Sequence, residues 1–393
     1  MTDNTDKGLL PAGLSDVLAP DAAFEASVLE RLLADLAAHG FDRVAPPLIE
    51  FEDSLLTGIG AGLAEQTFRL MDPESQKMMG VRADMTPQVA RIAARRLSKA
   101  PRPLRLSYAG QVLRVRGSQL RPERQFTQVG AELIGPDEAA ADAEVIVLAA
   151  GALGNLGIAD LSIDLGLPKL VAAVLGNAGD NSKSKARLRQ ALDRKDAAAV
   201  AQLGDDLGKD AADTLAAMLN AAGPATQALE ALAALGLSGE AESGRNLLAD
   251  VVDRVCSALP DLAVTIDPVE NRGFEYHTGV SFTFFAKGVR GELGNGGRYR
   301  INGGGAGETE AATGFTLFMD TVLRAVAPPP ATQRVYLPAE TPVDIAARLR
   351  ADGCTTVAAL SATGEAMAEA ERLGCSHVLQ DGEVLEISKT KAK

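Results

Sequence analysis

The chain has 393 residues, enough for two or three domains with cores of their own. Hydrophobic residues make up 46% and charged residues 23%, which is the balance of a globular protein and excludes a chain too polar to fold. The formal charge of −13 argues against nucleic acid as the main partner, because gripping a phosphate backbone takes a basic surface.

Three cysteines, Cys256, Cys354 and Cys375, are odd in number and far apart. They make no disulfide framework and no zinc spacing, and they read as small buried hydrophobes in a reducing compartment. The first residues, MTDNTDKGLL, lack the apolar stretch of a signal peptide, and no apolar run reaches the length of a bilayer. The expected location is the cytoplasm, with no membrane contact.

The first predicted element is a helix over Asp21–His39, where Phe24, Val28, Leu32 and Leu36 recur every four residues and Gly40 stands at the C-terminal cap. Pro46 and Pro47 lie in an extended segment leading to Leu48, Ile49 and Glu50. Strands are predicted near Leu104–Arg116 and Phe126–Ile134, joined by a loop rich in Arg, Gln and Pro. No aromatic residue occurs from Thr127 to Arg272. Within that span Ala, Leu and Asp dominate and predict short helices, for example Ala211–Asn220 and Gly244–Ala258, over a helical insertion at 167–262. Strand character returns at Tyr276–Phe285. Glycine-rich turns are expected at Gly294–Gly297 and Gly303–Gly307, and a helix from about Phe315 to Val326. Pro328, Pro329 and Pro330 mark a linker to a last domain, 331–393, whose alternating strands and helices predict a small α/β unit. The two stretches around the insertion, 1–166 and 263–327, then form one α+β core.

Side chains alternate across a strand, so residues of one parity share a face. Gln128 and Glu132 point one way and Val129, Ala131 and Leu133 the other. Arg82, Asp84 and Thr86 share a face if their segment is extended, as Pro87 favours. Glu275, His277, Gly279 and Ser281 line up opposite Tyr276, Val280 and Phe282. Were these strands neighbours, their polar faces would form a cup of acids, an arginine and an imidazole. Such a cup suits an amino group, and Arg114 or Arg272 suits a carboxylate or phosphate. Singly, each of these residues is equally an ordinary polar strand position facing solvent. The histidines, His39, His277 and His377, are too scattered for a metal site. Gly303–Gly305 lack the spacing of a phosphate loop. The basic run Arg91, Arg95, Arg96, Lys99 and Arg102 reads as a solvated helix face or a subunit contact.

Five segments together resemble histidyl-tRNA synthetase. RVRGSQLRPERQFTQVGAE, Arg114–Glu132, is similar to motif 2 of that family. NRGFEYHTG, Asn271–Gly279, is similar to its histidine signature, and GNGGRY, Gly294–Tyr299, to its Gly-Gly-Arg-Tyr segment. Arg82–Pro87 matches an Arg-x-acid-x-Thr stretch, and Phe41–Glu50 resembles motif 1 with its dimer-forming proline. The resemblance implies a class II aminoacyl-tRNA synthetase-type core, a six-stranded antiparallel sheet with flanking helices, dimeric through motif 1. It implies that Asp84, Thr86, Gln128 and Glu132 line a histidine pocket, that Arg114 and Arg272 sit where carboxylate and phosphate are held, and that Tyr276 and His277 belong to the same pocket. His277 either contacts the ligand's ring or packs near Tyr276.

The departures from the family bear on function. Motif 3 of the synthetases ends in an ATP-binding arginine; here that position is Thr321, and Arg324 is nearly a helical turn further on. Forming an adenylate needs charge aimed at the transferring phosphate, and losing one positioned arginine costs orders of magnitude in rate. From Ala331 to Glu386 there are four Arg and no Lys against nine acids, a poor surface for an anticodon, so no tRNA is expected. A kept amino-acid pocket with an altered nucleotide site is similar to the regulatory-subunit paralogues of this family. That resemblance implies a non-catalytic partner of the short ATP phosphoribosyltransferase catalytic subunit in the first step of histidine biosynthesis, with histidine as ligand, no cofactor and no catalytic residue of its own. A working histidyl-tRNA synthetase and a stand-alone amino-acid-binding protein are the alternatives.

Overall fold

The computed structural model describes residues 9–119, 121–176, 182–270, 276–302, 309–361 and 365–387. It divides into two compact units, residues 1–327 and 328–393.

In the first unit, helix α1 (Asp21–Ala38) buries Val28, Leu32 and Leu36, one side chain per turn. It ends where Gly40 takes a φ of +80°, a left-handed conformation that glycine reaches without steric cost. Short elements follow: strands β1 (Asp42–Arg43) and β2 (Ile49–Phe51), helix α2 (Glu52–Leu55), strands β3 (Arg69–Met71) and β4 (Met78–Val81), and helix α3 (Thr86–Arg91). β2, β4 and β3 form a small antiparallel sheet. The long strands β5 (Leu104–Leu113) and β6 (Gln125–Gly135) come next, then helix α4 (Ala139–Asn155) and strand β7 (Leu161–Gly166). Among the described residues, seven helices, α5 to α11, run between Leu170 and Ala258, with the two-residue strand β8 (Gly223–Pro224) ahead of the last two. Strands β9 (Ala263–Asp267), β10 (His277–Ala286), β11 (Gly294–Asn302) and β12 (Thr309–Phe318) and helix α12 (Met319–Ala325) complete the unit.

Among the described residues the main sheet has nine strands in the order β1-β5-β6-β12-β11-β10-β7-β9-β8. Its six central strands, β5 to β7, are all antiparallel, while β1 joins β5 and β9 joins β7 in parallel. The six-stranded antiparallel sheet expected from the sequence is thus the centre of a larger mixed one. One face carries Val129, Ala131, Leu133, Phe282, Phe284 and Leu317, which pack with α1, α4 and the helices of 170–258 into one core. Gln128 and Glu132 lie on the opposite face of β6, as strand parity requires.

One buried ion pair pins the helix side to the sheet. Arg298 of β11 donates through Nε to Asp142 of α4 at 3.0 Å, and through its other nitrogens to Asp137 and to the carbonyls of Pro136 and Glu138. Arg298 and Asp142 are both essentially inaccessible to water. Removing one charge would strand the other in the core.

Three expectations change. Gly294–Gly297 is not a turn but the start of β11. A side chain at Gly296 would run into the Phe282 ring and the Gly314 carbonyl, so the glycines serve close strand packing. Phe315–Phe318 belongs to β12, and the helix starts only at Met319. A strand buried on both faces gives a continuous apolar run that periodicity does not separate from a helix. Thr86 is not on an extended segment but opens α3, with its N–H donating to Asp84 Oδ1 at 2.9 Å. The glycine-rich stretch 303–307 lies outside the described residues.

The second unit carries a four-stranded sheet in the order β14-β13-β15-β16, built from β13 (Arg334–Leu337), helix α13 (Val343–Ala351), β14 (Thr355–Ala358), helix α14 (Ala366–Arg372), β15 (His377–Gln380) and β16 (Glu383–Glu386). β13 is parallel to both neighbours and β16 is antiparallel to β15. Tyr336, Ala370 and Val378 pack on one face, and Val335, Leu337 and Ala346 on the other, so the two helices cover opposite sides.

The Arg298–Asp142 pair gives a direct test of the packing. Arg298→Met should lower the unfolding free energy by about 3–5 kcal/mol in urea denaturation followed by circular dichroism. An unchanged midpoint would contradict the role assigned to this pair.

Candidate functional site

The polar face of the central sheet gathers side chains from four strands around Glu132. Glu132 is 1% exposed. Its two carboxyl oxygens accept from the hydroxyls of Tyr108 on β5, at 3.2 Å, and Tyr299 on β11, at 2.8 Å. The Tyr108 hydroxyl also lies 2.7 Å from Thr316 Oγ1 on β12 and 3.3 Å from Thr86 Oγ1. Glycines make room for this cluster. Tyr108 stands opposite Gly130 in the β5–β6 register, and Glu132 stands opposite Gly314 in the β6–β12 register. A Cβ at Gly314 would overlap the Glu132 carboxylate, and one at Gly130 would overlap the Tyr108 ring.

Asp84 closes another side. Gln128, fully buried, donates from Nε2 to Asp84 Oδ2 at 2.8 Å and accepts the Met85 N–H at 3.0 Å, so its amide fixes the turn that presents Asp84. A small cleft results, lined by Asp84, Thr86, Glu132, Tyr276, His277 and Asn295 together with Tyr299, Thr316 and the backbone of Gly296, Gly297 and Gly314. His277 is buried, its ring 4.1 Å from that of Tyr276, which is 41% exposed and forms the outer wall.

Burial decides the electrostatics. Loss of water around Glu132 pushes its carboxyl up to about 8, against the opposing effect of the Tyr299 and Tyr108 hydroxyls, and the nearby Asp84 charge pushes it the same way as burial. Burial likewise drives the Tyr108 and Tyr299 phenols well above their ordinary range.

Of the residues expected to form the site, Asp84, Thr86, Glu132, Tyr276 and His277 come together at this cleft, with Gln128 behind Asp84. Arg114 stands beside a different space. It donates to the Ala83 carbonyl, lies 3.9 Å from Asp84, and lines a second cavity of about 640 Å³ with Gln66, Arg116, Ser118, Arg121 and Glu123. Arg272 lies outside the described residues. Arg82 does not face the cleft. It is buried and donates to the carbonyls of Gln111 and Pro46, tying the proline segment to β5. Sequence reasoning missed Tyr108, Thr316 and Asn295 as members. The signal for Tyr108 was there in Gly130, between Gln128 and Glu132 on one face, an empty place that a large side chain must fill.

Arg121 is the other residue the sequence did not single out. Its guanidinium packs 3.8 Å from the centre of the Phe318 ring and 5.0 Å from that of Phe126, and Nε donates to Asp320 at 2.9 Å. Next to Asp320 stands Thr321, buried, which accepts from Arg324 at 3.2 Å. Of the run Arg91 to Arg102, Arg91 pairs with Glu50 and Arg102 with Glu310, so these two are structural. Among the described residues no group of three or more His, Cys, Asp or Glu is placed to hold a metal, and no helix is long and apolar enough to cross a membrane.

An antiparallel sheet with a buried acid–tyrosine cup, framed by segments of this kind, defines a class II aminoacyl-tRNA synthetase-type core. The histidyl-tRNA synthetase family matches residues 13–322. A solved structure titled as an ATP phosphoribosyltransferase regulatory subunit/histidyl-tRNA synthetase, from Bacillus halodurans, shares the fold with a TM-score of 0.79 at 24% identity, over 93% of this chain and 96% of its own. A histidine–tRNA ligase subunit from Alicyclobacillus acidocaldarius aligns with a TM-score of 0.61 at 28% identity, over 80% of this chain and 97% of its own. The ATP phosphoribosyltransferase regulatory subunit of Paramagnetospirillum magneticum is 56% identical over 387 residues, 98% of this chain and 100% of that protein. That of Rhodospirillum centenum is 56% identical over 391 residues, covering 98% and 99%. The chain therefore belongs to the histidyl-tRNA synthetase-like family and, within it, to the ATP phosphoribosyltransferase regulatory subunits.

The Glu132 carboxyl makes stability depend on pH. The folded state holds its proton more tightly than the unfolded chain, so this contribution is complete below about 4.5 and is lost as pH rises towards about 8. Across that window the fold should weaken by up to about 1.4 kcal/mol per pH unit from this group alone. Glu132→Gln, an uncharged amide of the same shape, should flatten the fall in melting temperature between pH 6 and pH 9. Equal slopes for both proteins would contradict the burial argument.

Proposed function

We propose that this chain is the non-catalytic regulatory subunit of ATP phosphoribosyltransferase. It activates the short catalytic subunit at the first step of histidine biosynthesis and carries feedback by histidine. The observation that carries this reading is the pairing of an intact acid cup around Glu132 with a threonine, Thr321, at the position where the synthetases place their ATP-binding arginine. Such a protein recognises an amino acid without activating it. The names of its relatives, regulatory subunits at 56% identity over nearly the whole chain, support the same function.

Histidine is the proposed ligand. Its ammonium faces Glu132 and Asp84, Gln128 holds Asp84 in place, Thr86 and Tyr276 complete the wall, and the His277 ring meets the ligand's imidazole. Arg114 and Arg272 take the carboxylate end. Self-association through the first unit is part of the reading. Leu48, Ile49, Phe51, Leu70 and Met71 are exposed on or beside the small sheet of β2, β3 and β4, an apolar patch that suits a subunit contact. The acidic second unit is a poor surface for tRNA, and a cytoplasmic location fits a biosynthetic subunit.

Reconstitution tests the proposal. The chain should co-purify with the short catalytic subunit and raise its ATP phosphoribosyltransferase activity at least tenfold, and added histidine should reverse the gain. Asp84→Asn should keep the activation while weakening the histidine effect at least tenfold. A catalytic subunit equally active alone, or a complex indifferent to histidine, contradicts the proposal.

A further inference from the structure

The charge balance of the cup suggests how it reads its ligand, an inference that rests on the histidine reading above. The described side chains facing Glu132 are the Tyr108 phenol from β5, the Tyr299 phenol from β11, Thr316 from β12, and Asp84 and Thr86 from the segment entering α3, with Tyr276 and His277 at the start of β10. None of these is Lys or Arg. Arg114, which lines the second cavity, is directed towards Asp84 at 3.9 Å and the Ala83 carbonyl. A carboxylate so enclosed has hydroxyl donors and, the His277 imidazole apart, no basic side chain facing it among the described residues, while a second acid stands close by. Two acids sharing a dry site resist ionising together, so the empty cup is best satisfied with Glu132 carrying a proton.

A cationic amine arriving beside it reverses that preference. The ammonium supplies the missing positive charge and an N–H donor that only an ionised carboxylate accepts in full. We infer that histidine binding drives the Glu132 proton out of the cup, so that the subunit exchanges one proton for one ligand ammonium each time it loads. The balance is simple. The Glu132 Oε–H bond breaks, its electron pair stays on the carboxylate, the proton passes to buffer, and the ammonium keeps all its hydrogens while donating to Oε. Feedback would then be coupled to pH, with binding favoured as pH rises towards neutrality. The phenols of Tyr108 and Tyr299 set the balance point, because each hydroxyl that donates to Oε favours the ionised form.

Titration calorimetry of the full-length chain with L-histidine at pH 7, in phosphate and in Tris, measures the protons exchanged from the difference in heat between buffers. The expected result is a release of roughly one proton per histidine, falling towards zero by pH 9. In Glu132→Gln, checked for an unchanged melting curve at pH 6, the release should vanish even where weakened binding persists. Tyr299→Phe removes one donor and should shift the release to higher pH, which keeps the test alive if the glutamine variant fails to fold. Binding heat independent of buffer, or a release that survives in Glu132→Gln, overturns the inference while leaving histidine as the ligand. No binding heat in any buffer overturns the histidine reading and this inference with it.

Discussion

The structure depends on one arrangement, a carboxyl group buried in the middle of an antiparallel sheet and held by two tyrosine hydroxyls, one from the adjacent strand β5 and one from β11, two strands away on the other side. Burying an acid is costly unless its oxygens are satisfied, and satisfying both of them fixes the neighbours. Tyr108 has to lie across Gly130, Glu132 across Gly314, and Tyr299 has to follow the paired glycines Gly296 and Gly297. Gly130 and Gly314 leave the room in which acid and phenol meet, while Gly296 admits the Phe282 ring on the opposite face. The Arg298–Asp142 pair performs the matching task on the other face, locking β11 to the helical layer.

Function follows from what surrounds this cluster. A sheet of this type could in principle position an amino acid and a nucleotide side by side. Here the cup around Glu132 is fully braced, down to the buried Gln128 that orients Asp84. On the other side, Arg121 is bound up with Asp320 and two phenylalanine rings, and Thr321 is engaged by Arg324. The cationic groups there are turned towards their own chain. An acid cup on one side and self-engaged cations on the other are the division of labour that the proposed regulatory reading requires.

Much of this was legible in the sequence because strand parity is unforgiving. The sequence FTQVGAE places Gln128, Gly130 and Glu132 on one face and Val129 and Ala131 on the other whatever the rest of the fold does, and the structure follows. Helix α1 was equally plain from its four-residue repeat and closing glycine. The misreadings share a cause. Gly294–Gly297 looked like a turn because glycine usually marks one, and Phe315–Phe318 looked helical because burial on both faces erases alternation. Whether a glycine bends the chain or admits a neighbour, and whether an apolar run is strand or helix, are settled by partners distant in sequence. For the same reason Tyr108, about 24 residues before the acid it holds, and Thr316, far beyond it, could not be assigned to the cup from local pattern. The second unit was readable as alternating strands and helices, but its strand order was not.

The central claim is that this scaffold recognises an amino acid but no longer activates it. Pyrophosphate exchange into ATP, measured with the purified chain and histidine, tests this most directly. The account predicts exchange no greater than in a control without histidine. Exchange at a rate typical of a working synthetase, dependent on histidine, would contradict it.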